Sequence, residues 1–126
     1  MAHAPSPIES ISAVTLLTVE MQRAVRFYRS IGFDLLYGGE HAEFTSFRAG
    51  SSYLNLQLDA TRSNQNPIWG RIVFWVDDVD AMYKSVESTG VKPGSPPADA
   101  PWGERFFHVL DPDGHELSFA RPLTRD

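Results

Sequence analysis

The sequence predicts an α+β fold that is built from two copies of a βαβββ module. An internal repeat, alternating apolar residues at the start of each copy and helical spacing directly afterwards predict it. The repeat aligns Val14, Leu16 and Thr18 with Ile72, Phe74 and Val76, and later Gly32 with Gly90. We therefore expect the 126 residues to form a single domain, with module one over about 11–58 and module two over about 71–121.

Strands are expected wherever apolar and polar residues alternate. The alternation predicts a first strand in each copy, over Ala13–Val19 and Arg71–Val76. Shorter strands are predicted to follow at Asp34–Tyr37, Glu43–Arg48 and Ser52–Leu58, and in the second copy at Lys92–Gly94, Arg105–Leu110 and His115–Ala120. The turn residues at 49–51 and the DPDG sequence at 111–114 suit hairpin connections.

One helix is expected after the first strand of each copy, because apolar residues recur there three and four positions apart. These residues are Met21, Ala24, Val25 and Tyr28, and in the second copy Val79, Met82, Tyr83 and Val86. Asp77 is expected to cap the second helix, whereas Glu20 is a poor cap for the first. Gly32 and Gly90 are expected to end the helices. We interpret 59–70 as the linker and 93–101 as an extended proline-rich loop.

Composition narrows the classes of function. The net charge of −5 and the lack of a basic run argue against nucleic acid as a partner. The longest apolar runs, such as Ile72–Val76, are far shorter than the roughly 20 residues that cross a bilayer, so no membrane partner is expected. The absence of cysteine excludes thiolate chemistry and fits a cytoplasmic location.

Three segments carry a resemblance to a known family. The strings VEMQRAVRFYRSIGFDLLY, GRIVFWVDDVDAMYKSV and PWGERFFHVLDPDGHELSF, in this order, resemble the vicinal oxygen chelate superfamily. That group contains glyoxalase I, extradiol dioxygenases and bleomycin-resistance binding proteins, and the resemblance covers about Ile11 to Arg121. It implies mixed sheets that curl around a cleft, with the helices outside, in a homodimer.

The resemblance also implies where metal ligands would lie. Metal-dependent members hold their ion with four His and Glu side chains, and the matching positions here are Ala13, Arg71, Ser118 and Asn55, with Gln57 or Tyr53 as alternatives to Asn55. Alanine has no donor atom and arginine is a permanent cation. We therefore expect no metal or other cofactor and assign no catalytic residue.

The cleft is expected to bind a small organic ligand through aromatic and polar side chains. The candidate residues are Trp75, Trp102, Arg71, Asn55, Tyr53, Ser118, Phe107 and Glu116. Phe107 depends on the parity of its strand, and Arg71 has the alternative of an ion pair with Glu116 or Glu104. Trp102 has the alternative of a dimer contact, and Trp75 that of filling space.

The pattern favours a metal-independent binding protein for an antibiotic-like, aromatic or peptide-like molecule, similar to the bleomycin-resistance branch. Two alternatives stay open. One is a metal-dependent lyase or dioxygenase with ligands relocated around His41, Glu43 or His108. The other is an accessory domain whose cleft is vestigial and whose role is to bind a partner.

Overall fold

A computed structural model describes residues 7, 9–61, 69 and 71–123. The first module consists of β1 (Ala13–Thr18), α1 (Met21–Ser30), β2 (Asp34–Tyr37), β3 (Phe44–Ala49) and β4 (Ser52–Leu58). The second consists of β5 (Arg71–Trp75), α2 (Val79–Ser88), β6 (Ala98–Asp99), β7 (Glu104–Leu110) and β8 (Glu116–Pro122). The predicted α+β fold of two βαβββ modules is confirmed.

The two modules share one sheet topology. The strand orders are β1-β4-β3-β2 and β5-β8-β7-β6, so each module has a four-stranded sheet. The first and last strands of a module pair in parallel, and the other neighbours are antiparallel, which makes both sheets mixed. The opening strands β1 and β5 therefore lie at sheet edges.

The strand predicted at Lys92–Gly94 is wrong. Because Pro93 has no N–H to donate, this segment cannot form a full ladder, and its contact with β7 is a single bond from the Gly94 N–H to the His108 carbonyl at 3.1 Å. The edge strand is instead the short β6, inside the proline-rich loop. Most of the predicted linker lies outside the described residues, at 62–68 and 70.

The core lies between each sheet and its helix, as the alternation predicts. On β1, Leu16 and Thr18 are buried, whereas Ala13 and Leu17 point away from α1 and are exposed. The modules also share aromatic contacts, since the rings of Phe33 and Phe74 meet edge to face with centroids 5.1 Å apart. This packing fixes β5 beside the end of module one.

The helix ends follow the predictions with one shift. Helix α2 begins at Val79, so its cap is Asp78 and not Asp77, and the Asp78 carboxylate accepts the Ala81 N–H at 3.0 Å. Glu20 makes no side-chain cap bond, as expected. Gly32, with φ of 113°, follows α1 in the left-handed conformation that favours glycine.

The DPDG turn of module two supports the start of α1. The Asp113 carboxylate oxygen Oδ1 accepts the Val19 N–H at 3.0 Å and pairs with the Arg23 guanidinium at 3.1 Å. The Tyr28 hydroxyl donates to the buried Asp111 carboxylate at 2.7 Å. Burial raises the pKa of the Asp111 carboxyl, while the hydrogen bond from Tyr28 opposes this shift. These contacts join the two modules through buried polar groups.

Neither helix is long and apolar enough to cross a membrane, and no other described segment forms such a helix.

Candidate functional site

The candidate site lies on the open face, by which we mean the face of each sheet that is opposite its helix. Strand pairing orders the open-face side chains into rows. The first row of module one is Ala13, Tyr53 and Arg48, and the first row of module two is Arg71, Glu116 and Leu110. Comparing the rows shows which positions of the two modules are equivalent.

The second row decides which residue of β4 matches Ser118. In module one it contains Thr15, Asn55 and Ser46, and in module two it contains Val73, Ser118 and His108. Asn55 and Ser118 therefore occupy equivalent places, and Tyr53 is instead equivalent to Glu116. Among the sequence alternatives, the register selects Asn55.

Arg71 is held by an acidic neighbour. Its Nε donates to Oε1 of Glu116 at 2.7 Å, in a side-by-side pair on β5 and β8. This is the ion pair that the sequence left as an alternative to ligand binding. Glu104, the other acid considered, accepts a bond from the Trp102 indole at 2.9 Å instead.

The four positions that the family resemblance marks do not supply a coordination set. Ala13 offers a methyl group, Arg71 is a cation that Glu116 already binds, and the Asn55 amide donates to Thr15 at 3.4 Å. Ser118 offers a neutral hydroxyl and is buried. Divalent cations need carboxylates, imidazoles or several oxygens, so these residues do not fit one.

The relocated metal site also lacks support in the described part of the chain. His41 and Glu43 are exposed beside β3, whereas His108 lies on β7 of the other module. No three His, Cys, Asp or Glu side chains among residues 9–61, 69 and 71–123 come close enough to hold an ion.

His108 belongs to the open face of module two. Its ring lies 5.0 Å from that of Phe106, and its Nδ1 is buried without a hydrogen-bond partner among the described residues. Burial lowers the pKa of His108, the Arg71 cation lowers it further, and the Glu116 carboxylate opposes both. The surroundings of His108 therefore favour the neutral imidazole, and its buried Nδ1 is bonded to no described residue.

Three of the predicted residues line one groove. Trp75, Arg71 and Tyr53 border an open groove of about 850 Å³ between the first row of module one and strand β5. Trp75 and Tyr53 are 66% and 42% exposed, so their surfaces are available to a ligand. The groove does not include Asn55, Ser118, Glu116, Phe107 or Trp102.

The groove residues that sequence reasoning missed include Phe33, Arg48 and Trp69. Strand parity with Tyr53 across the 49–51 turn could have found Arg48, since the two are cross-strand partners. Phe33 follows α1, and its apolar side chain indicated only a place in the core. Trp69 lies within the predicted linker, where no periodicity indicates a direction.

Trp102 takes part in a second aromatic surface. It is 70% exposed, and its indole stacks on Phe106 with centroids 5.9 Å apart and an angle of 26°. Phe106, which sequence reasoning missed, lies on the open face because it pairs with Ala120. This surface lies in module two, outside the groove that Trp75 lines.

The placement of Phe107 in the cleft is wrong. His108 pairs with Ser118 and faces the open side, so alternation turns Phe107 toward α2. Phe107 is 0% exposed, with its ring 5.3 Å from Tyr83 and 5.4 Å from Phe119. It is a core residue.

A buried histidine links Trp69 to the edge of β1. The Trp69 indole donates to Nδ1 of His115 at 2.8 Å, and Nε2 of His115 lies 2.8 Å from the Leu17 carbonyl oxygen. Because an indole N–H can only donate, Nδ1 accepts and Nε2 carries the proton that it donates to Leu17. The link orients Trp69 at the groove.

Comparison with known proteins bears on the family. The family model described as Glyoxalase/Bleomycin resistance protein/Dioxygenase superfamily matches residues 10–119. An uncharacterised protein of Mycolicibacterium smegmatis is 32% identical over 91% of this chain and 96% of its own length.

Many solved structures have a similar fold, and two of them follow. TioX from Micromonospora sp. ML1 is 27% identical, with a TM-score of 0.73 over 91% of this chain and 100% of its own. A bleomycin-binding protein complexed with bleomycin is 19% identical, with a TM-score of 0.73 over 90% of this chain and 98% of its own.

Proposed function

Because the chain belongs to the glyoxalase/bleomycin resistance protein/dioxygenase superfamily, we propose that it is a metal-independent binding protein. Its ligand is an antibiotic-like small molecule of aromatic or peptide-like character. A bleomycin-binding protein of the same fold, solved in complex with bleomycin, supports a small organic ligand. The single domain acts without a cofactor, in the cytoplasm.

One observation carries this proposal. The groove has an exposed aromatic wall at Trp75, while the neighbouring positions for metal ligands hold Ala13 and an Arg71 that is paired to Glu116 at 2.7 Å. A groove of this composition favours an aromatic ligand through contact area and orients it through a few polar groups. Because Ala13 and the paired Arg71 do not hold a cation, the groove supplies no metal ion that could activate a substrate.

The open face supplies further contacts. Trp102 with Phe106 offers a second stacking surface, and Tyr53 and Asn55 add polar groups on the sheet of module one, whereas Ser118 is buried and Glu116 is paired to Arg71. Both β1 and β5 are edge strands, which favours a homodimer in which a second copy brings its own open face to the ligand. Light scattering should then give a mass of two chains, and a monomer would contradict the dimer.

The test of binding is a titration of the purified protein with a panel of aromatic and peptide antibiotics that includes metal-free bleomycin. Calorimetry and tryptophan fluorescence report on the same titration. We expect saturation with one of these compounds at a single stoichiometry. No saturation across the panel would overturn the proposal and favour the accessory-domain alternative.

A further inference from the structure

The charge of the groove is opposite to that of the chain. The chain carries a net charge of −5, yet the described residues that line the groove include two arginines, Arg48 and Arg71, and no aspartate or glutamate. A ligand that enters this groove therefore meets positive charge beside aromatic surface.

The two arginines are not equivalent. Arg71 donates to Glu116 at 2.7 Å, and the Glu116 side chain is only 16% exposed. A partly buried carboxylate that lost this partner would be left without compensation, so the pair resists exchange with a ligand. The positive charge of Arg71 is therefore already balanced within the protein by Glu116.

Arg48, by contrast, has no acidic partner among the described residues. It is exposed, and it makes no ion pair or side-chain hydrogen bond with any residue that the structure describes. Asp34 is its cross-strand neighbour on β2, but the two side chains do not form an ion pair. The guanidinium is a planar fork that matches a carboxylate.

The surroundings of Arg48 define what it can bind. In the same row, Tyr53 presents a half-exposed phenol ring, and the aromatic rings of Trp75, Phe33 and Phe74 also line the groove. A free cation beside aromatic walls is complementary to an aromatic ring that carries an anionic group.

We propose that the groove selects aromatic carboxylates, and that Arg48 is the residue that binds the carboxylate. The inference rests on the proposed binding function and names the ligand class for it. It also assigns specificity to a residue of β3, because the charge of Arg71 is already balanced by Glu116.

The test compares two probes of the same shape, 1-naphthoate and its neutral analogue 1-naphthamide, by calorimetry at low salt. The wild-type protein should bind 1-naphthoate about tenfold more tightly, because a charge-assisted hydrogen bond is gained. Arg48→Gln should reduce this preference to less than about threefold, and Arg48→Lys should keep part of it.

Arg26→Gln is the matched control, because it changes the net charge equally at an exposed ion pair with Glu40, outside the groove. It should keep the wild-type preference. Equal affinity of the wild-type protein for the two probes, or a preference that survives in Arg48→Gln, overturns the inference but leaves the proposed function intact. Binding of neither probe also overturns it, and the antibiotic panel then decides the proposed function separately.

Discussion

At the scale of single residues, what the site can bind depends on which side chains already have a hydrogen-bond or ion-pair partner within the protein. The Arg71 guanidinium and the Trp102 indole N–H are bonded to glutamates, whereas the Arg48 guanidinium is bonded to no described residue. The alternation of side chains along a strand could predict that Trp75 and Tyr53 lie on the open face of their sheets. It could not predict that Glu116 would bind Arg71 and Glu104 would bind Trp102, because these bonds depend on where the side chains lie in the folded protein.

Trp75→Ala should weaken binding of a ligand that saturates the groove by about 2 kcal/mol, since a large aromatic contact surface is lost. Trp75 is 66% exposed, so the variant should fold with unchanged stability. Calorimetry measures the affinity. Lys84→Ala, an exposed residue of α2 outside the groove, is the control and should bind normally. Unchanged affinity in Trp75→Ala would remove this residue from the site.

The lowered pKa of His108 predicts a dependence of stability on pH. The folded protein binds fewer protons at this site than the unfolded chain, whose histidine has a pKa of about 6.5. The free energy of unfolding should therefore fall as the pH decreases below about 6.5 and through the folded pKa. Urea unfolding across this range should show a smaller decrease in His108→Gln. The same decrease in both proteins would contradict the assignment, and His41→Gln serves as the surface control.

At the scale of elements, the helices and the opening strands follow local rules, and the exceptions have local causes. The period-two pattern placed β1 and β5 to within a residue, and Gly32 marked the end of α1. The strand predicted at Lys92–Gly94 does not form, because Pro93 has no N–H to donate to a ladder. The parity of β7 was open because its sequence, with Phe106 and Phe107 adjacent, offers an aromatic ring to either face.

Asp78→Ala should lower the free energy of unfolding by about 1 kcal/mol, because the Ala81 N–H at the start of α2 loses its acceptor. Glu20→Ala at the matching position before α1 should change it by less than about 0.5 kcal/mol, because Glu20 makes no side-chain cap bond. Chemical denaturation of the two variants compares them directly. Equal losses would show that the Asp78 bond does not stabilise α2.

At the scale of the whole molecule, the modules are joined by polar contacts that no local pattern reveals. The DPDG turn reads as a hairpin turn in the sequence, yet Asp111 and Asp113 reach α1 of the other module. The groove is likewise a product of the assembly, since Arg48 and Trp75 are distant in the chain but line one groove. The repeat predicted the modules, whereas their contacts required the structure.

Tyr28→Phe should lower the free energy of unfolding by about 2 kcal/mol, because the buried Asp111 carboxylate loses its hydroxyl donor. Tyr37→Phe removes a hydroxyl from an exposed tyrosine and should have little effect. Thermal and urea unfolding measure both variants. A neutral result for Tyr28→Phe would show that this contact does not hold the modules together.

The central claim is that the open groove binds its ligand without a metal. Calorimetry with the compound that saturates the protein tests it most directly, first in a chelator and then with added nickel, zinc, manganese or iron(II). We expect the same dissociation constant, within about twofold, in all of these conditions, since Ala13 and the paired Arg71 offer no ligand to an ion. Binding that disappears in the chelator and returns with one of these metals would contradict it.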